Sequence, residues 1–189
     1  MNYELPESLE VCGVAYPILS DYRAVLDIFA ALSDPELTPE EKARDALLIL
    51  YPAFEAEPPT EAMPPEHYQE ALRRCFWFIN GGEDEPKNAD RRKLVDWQQD
   101  FPRIAAPISH IIGQEVRAVK YLHWWSFLGA YMEIGGDSLF AQIVRIRDLK
   151  SRGKKLDKFD REWYQRNRHL VDFETKYTAA ETELLSRWM

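Results

Sequence analysis

Residues 119–134 read Val-Lys-Tyr-Leu-His-Trp-Trp-Ser-Phe-Leu-Gly-Ala-Tyr-Met-Glu-Ile. Apolar side chains fall on nearly every side of this stretch: Tyr121, Leu122, Trp124, Trp125, Phe127, Leu128, Tyr131, Met132 and Ile134. A helix that is apolar all round leaves no face for water and belongs inside its domain. The spacing therefore predicts a buried central helix over 119–134. Gly135-Gly136 stops it, and Asp137 is placed to cap the next.

Beyond that cap, Leu139, Phe140, Ile143, Val144 and Ile146 carry the helical period onward. A further helix from about Lys158 to Leu170 holds Phe159, Trp163, Tyr164 and Leu170. Residues 173–189 are expected as a C-terminal appendage, with a short amphipathic helix through Tyr177, Leu184, Leu185 and Trp188. Upstream, one helix is expected over Asp90 to Gln99 and another over Ala105 to Ile112. Phe101-Pro102 divides them, because proline lacks the N–H a helix interior requires.

Leu9 and Val11 alternate with Glu10, Cys12-Gly13 offers a turn, and Val14, Tyr16 and Ile18 follow, so residues 8–18 form a β-hairpin with Pro17 keeping its strand at an edge. Ser20 or Asp21 caps a helix whose Tyr22, Val25, Leu26 and Phe29 share a face. Thr38-Pro39-Glu40-Glu41 has the form of a capping box with proline at the first helical position. Ala43, Ala46, Leu47, Leu50 and Phe54 follow, and Pro52 ends the regular helix. A helix from about Pro65 to Asn80 takes Tyr68, Leu72, Cys75, Phe76 and Ile79 as its stripe and stops at Gly81-Gly82. Residues 55–65 and 82–89 are expected as flexible loops. The whole, 1–189, is read as mainly α: a single helical domain with a short N-terminal β-hairpin.

Composition limits the function classes. The chain has 189 residues, 46% of them apolar and 30% charged, the balance of a folded globular protein. No run of about 18 apolar residues predicts a membrane span, and Met1-Asn2-Tyr3-Glu4-Leu5-Pro6 lacks the features of a secretory leader. Cys12 and Cys75 stand far apart, so no disulfide framework is expected, and buried, inert thiols in a reducing compartment are. The net charge of −8 is uneven: residues 1–140 hold 12 Lys/Arg against 24 Asp/Glu, and residues 141–189 hold 12 against 8. An acidic body with a basic later section suits self-association or an acidic partner, although solvated charge is the ordinary reading.

The residues offer little for catalysis. His67, His110, His123 and His169 never stand three or four apart, so no helix presents two imidazoles to a metal. Gly135-Gly136-Asp137-Ser138 does not follow a strand and reads as a helix stop and cap, not as a phosphate loop. No serine stands in a nucleophile elbow. Neither a catalytic residue, a cofactor site nor a metal site is assigned. Arg145, Arg147, Lys150, Arg152, Lys154, Lys155 and Lys158 crowd one helix end and the turn after it. Such cations complement a helix C-terminus or meet phosphates. With the acidic body and no base-reading motif, nucleic acid is not the expected partner.

One string is more specific. Leu122-His123-Trp124-Trp125-Ser126-Phe127, with Trp97-Gln98-Gln99-Asp100-Phe101 before it and Phe140, Ile143, Ile146-Arg147 and Gly153-Lys154-Lys155-Leu156 after it, resembles the bacteriophage gene-product-fifteen family of tail proteins. The hairpin, Asp21-Tyr22-Arg23, and Ala46-Leu47 through Tyr51-Pro52 are similar too, so the resemblance spans roughly residues 5 to 170. Ile112-Gly113-Gln114-Glu115-Val116 departs from a Tyr-Gly-Ile-like segment of the family, and the stretch after Phe173 lies outside its pattern.

The resemblance implies a tail assembly chaperone, not an enzyme, that binds the tape measure protein or another tail protein in the cytoplasm of the bacterial host. The competing reading is a structural tail or neck component retained in the virion. Leu122, His123, Trp124, Trp125 and Phe127 are expected in the core as the family motif. Arg147, Lys150, Lys154, Lys155 and Trp163 are expected as partner-binding residues.

Overall fold

The computed structural model describes residues 4–57, 62–84, 92–175 and 178 of the 189. Among them are one two-stranded antiparallel hairpin and eight α-helices. The mainly helical class with an N-terminal hairpin is therefore what the chain adopts. Its contacts divide into two compact units. The first takes the described residues up to 84 together with Tyr121–Ser126, and the second takes 92–120 with Phe127–Thr175. The expected loop 82–89 and appendage 173–189 fall largely outside the described residues.

In the first unit, β1 (Ser8–Val11) pairs with β2 (Val14–Pro17), Leu9 facing Tyr16 and Val11 facing Val14. Cys12 and Gly13 make the two-residue turn with φ of 50° and 78°, the left-handed pair that matches the strands' twist. Leu9, Val11 and Tyr16 turn inward, whereas Val14 stays exposed. α1 (Tyr22–Leu32) is capped by Asp21, whose carboxylate accepts from the Arg23 amide. Its inner face is Tyr22, Val25 and Ile28, with Leu26 and Phe29 half-buried. α2 (Pro39–Leu50) opens on the full capping box between Thr38 and Glu41. After a short 3-10 turn at Pro65–His67 comes α3 (Tyr68–Ile79). The stripe of α3 differs from the expected one: Ala71, Cys75, Phe78 and Ile79 are buried, and Phe76 is exposed. Burial pushes the Cys75 thiol up to about 12, which leaves it inert. Cys12, expected buried, is exposed at the hairpin turn, and both cysteines are free.

The stretch that decides the class does not form the long helix its composition suggests. Val116–Ala118 is a 3-10 turn, residues 119–123 lie outside any helix with His123 bridging to Asp21, and α5 runs only from Trp124 to Met132. The cause lies a hundred residues earlier. The Leu122 amide donates to Asp21 Oδ2 (3.0 Å), the Tyr22 amide to the Leu122 carbonyl (2.9 Å) and the Trp124 amide to the Ser20 carbonyl (2.7 Å). These bonds hold 121–123 as a strand-like segment at the start of α1 and delay the helix. Nor is α5 buried all round, since Met132 is 71% exposed.

In the second unit, α4 (Trp97–Ile112) is one helix where two were expected, with Pro102 and Pro107 inside it. Asp96 caps it, accepting from the amides of Gln98 and Gln99, and Ile104, Ala105 and Ile108 bury its inner face. Pro102 costs one ladder bond near the first turns, and the burial of this face outweighs that loss. Trp97 packs on Tyr131 of α5 with ring centroids 4.9 Å apart. α6 (Leu139–Ser151) is capped by Ser138, not by Asp137: the Ala141 amide donates to its hydroxyl. α7 (Lys158–Arg166) and α8 (Arg168–Val171) complete the described helices, broken at Asn167.

Candidate docking groove

Two of the expected motif residues, Trp124 and Trp125, form a clamp on the C-terminal end of α3. A helix ends with four carbonyls that have no partner inside the helix. Here the Phe76 carbonyl accepts from the Asn80 amide and the Trp77 carbonyl from the Gly82 amide. The Phe78 carbonyl accepts from the Gly81 amide and from the Trp125 indole N–H (2.9 Å), and the Ile79 carbonyl accepts from the Trp124 indole N–H (2.8 Å). Two adjacent tryptophans thus close the end of another helix. Trp124 and Phe127 are buried, and Trp125 and Leu122 are half-buried. The Trp125 ring stacks against Phe78 and meets Trp77 edge-on at 5.7 Å.

His123 fixes the register of the clamp. Its Nδ1 accepts from the Trp125 amide (3.0 Å), so Nε2 carries the proton and donates to the Pro6 carbonyl (3.0 Å). The imidazole therefore caps α5 and ties down the chain before β1. Gly82 is required beside it. At φ 89° a Cβ there lies 2.8 Å from Trp125 Cη2.

The residues expected to touch a partner are scattered. Arg147 is internal, 4% exposed, and cannot serve as a surface contact. Its sequence neighbours gave no hint of this, because its partner Asp100 lies on another helix. Lys150 is engaged by Tyr164 and Asp172. Lys154 and Lys155 are exposed on the turn after α6, and Trp163 is half-buried on α7.

A concave surface that sequence reading did not single out lies between α2 and α3. Glu40, Ala43, Arg44 and Leu47 share one face of α2, and Tyr68, Gln69 and Leu72 share one face of α3. Phe54 and Glu55, in the connection, close one end, with the Phe54 and Tyr68 rings 4.8 Å apart. The Tyr51 hydroxyl donates to the Ala71 carbonyl (3.0 Å) and locks the two helices together beneath. The result is an open, mainly apolar groove of about 450 Å³, within the range of ~300–1,000 Å³ for ligand clefts. Leu47 and Phe54 form its floor, each about 95% buried by the walls. Arg44 and Glu55 pair across its rim, and Glu40 has no ion-pair partner among the described residues. No histidine, cysteine or serine lines it. The groove can hold apolar side chains, and its polar lining consists of Glu40, Tyr68, Gln69 and the paired Arg44 and Glu55.

Among the described residues no cluster of three or more His, Cys, Asp or Glu is placed to hold a metal, and no helix is long and apolar enough to cross a membrane. Compared with known families, residues 1–173 match the family described as Bacteriophage Gp15 protein. The chain belongs to that family. No curated protein and no solved structure matches it. The family match covers both units of this Gp15 chain and ends just after Asp172, beyond α8. It includes the clamp, the groove and the basic turn.

Proposed function

We propose that this Gp15-family chain is a phage tail assembly chaperone that binds the tape measure protein in the cytoplasm of the bacterial host, taking a helical segment of it into the groove between α2 and α3. The observation that carries the reading is that groove: a mainly apolar concavity between α2 and α3, open to solvent, on a member of a phage protein family. A tape measure protein is a long helical chain whose apolar stripes aggregate unless covered. An amphipathic helix laid into a groove covers such a stripe through anchors at helical spacing. Repeated weak docking along a long chain gives avidity and still allows release when the tail tube polymerises. The mainly apolar lining, with charged groups at its edge, favours the docking of an amphipathic helix.

The test is co-expression with the tape measure protein. The partner is expected to become soluble and co-purify with the wild-type chain, and not with Leu72→Glu, which puts a charge on the groove wall. An insoluble, unbound partner refutes the reading. The alternative, a structural tail or neck component, requires the chain to persist in finished particles. Mass spectrometry of purified virions is expected to lack it.

A further inference from the structure

An open apolar groove is a hazard to the protein that carries it, and a second surface of the same chain has the complementary chemistry. On α7, Phe159 is 69% exposed, and Trp163, one turn further on the same face, is half-buried. Lys154, Lys155 and Lys158 lead into this helix, all exposed and without an ion-pair partner among the described residues. The groove offers the reverse. Its lining carries Glu40 and Glu55, with Arg44 already paired to Glu55. In sequence, the stretch 1–87 that supplies the groove holds 6 Lys/Arg against 18 Asp/Glu.

We infer that, without a partner helix, the α2–α3 groove of one copy takes α7 of a second copy, with Phe159 as the anchor and Lys155 and Lys158 facing Glu40 and the acidic rim. The contact joins two different surfaces, so it is heterologous, and copies add head to tail until a partner helix displaces them. Displacement rests on the groove being the partner's site, as proposed above. The self-contact itself does not need that reading.

Sedimentation velocity tests it, on the full-length chain over a range of concentration. The wild type is expected to associate, and Leu72→Glu and Phe159→Ser each to remain monomeric. Mixing these two variants is expected to yield dimers and nothing larger, because each supplies the one face the other lacks. Dimer formation in the mixture also shows that both variants fold. Glu40→Lys is expected to weaken association, and adding Lys158→Glu to restore it. A monomeric wild type, a single variant that still associates, or a mixture that stays monomeric overturns the inference. None of these outcomes bears on co-purification with the tape measure protein, so failure of the self-contact and failure of the chaperone reading are distinguished.

Discussion

Arg147 and Asp100 form a bidentate ion pair inside the second unit, Nη1 to Oδ2 at 2.6 Å and Nη2 to Oδ1 at 3.0 Å, with side chains 3% and 1% exposed. The guanidinium also donates to the carbonyls of Leu94, Leu170 and Val171, so its five N–H groups are all used, and it lies 4.1 Å from the Phe173 ring centroid. One side chain thereby ties α6 to α4, to the segment before it and to α8. Removing one partner strands a buried charge. Asp100→Ala is expected to cost about 3–5 kcal/mol in denaturant unfolding. Asp100→Ala combined with Arg147→Met is expected to cost less than the sum of the two single changes. Additive losses refute the coupling.

The two indoles of the clamp differ in what they leave behind. Trp124→Phe strands the Ile79 carbonyl, a cost of about 1–3 kcal/mol for an unpaired buried acceptor. Trp125→Phe removes one of two donors, since the Gly81 amide still serves the Phe78 carbonyl. Urea titration is expected to rank Trp124→Phe as the more damaging. The reverse order refutes this account of the end of α3.

Gly82→Ala combines a left-handed backbone with a Cβ set against the Trp125 ring. A loss of about 1–3 kcal/mol is expected from such a site, with a change in the near-ultraviolet dichroism of the indoles. An unchanged melting curve contradicts the close approach.

Asp172 supplies the acid response. Partial burial pushes its carboxyl up, but hydrogen bonds from Lys150, Arg168 and Tyr164 outweigh this and hold it down at about 2. A carboxyl whose folded pKa lies below its unfolded value of about 3.9 stabilises the fold above that value. That contribution is lost as pH falls from about 4 through the folded value of about 2. The tie between α6, α7 and α8 is therefore expected to loosen in that window. A carboxyl titration of Asp172 by NMR checks it, and a midpoint near 4 refutes the network.

What the sequence disclosed depended on the reach of each interaction. The Thr38–Glu41 box and the Cys12-Gly13 turn are local, and both formed as read. Residues 119–134 read as one helix because Asp21, which accepts from the Leu122 amide, lies 101 positions away and periodicity cannot register it. Arg147 looked like one more surface cation because its partner Asp100 stands 47 positions earlier. Pro102 reads as a break because nothing beside it in sequence shows that Ile104, Ala105 and Ile108 bury a face that offsets the missing bond. Leu47, Phe54, Tyr68 and Leu72 each appeared in an apolar pattern. The groove exists only once α2 and α3 pack, which composition does not encode.

The first unit is discontinuous in sequence: residues 121–126 finish what residues up to 84 begin. On a ribosome adding about 5–20 residues per second, the stretch between them delays completion by roughly 2–7 s. Throughout that interval the Ile79 carbonyl has no indole to receive, and the start of α1 lacks its strand-like neighbour. The nascent chain is thus open to misassembly until His123 and the two tryptophans emerge. Translation speed through 85–120 becomes a determinant of yield, and slowing it with rare codons is expected to reduce the soluble fraction.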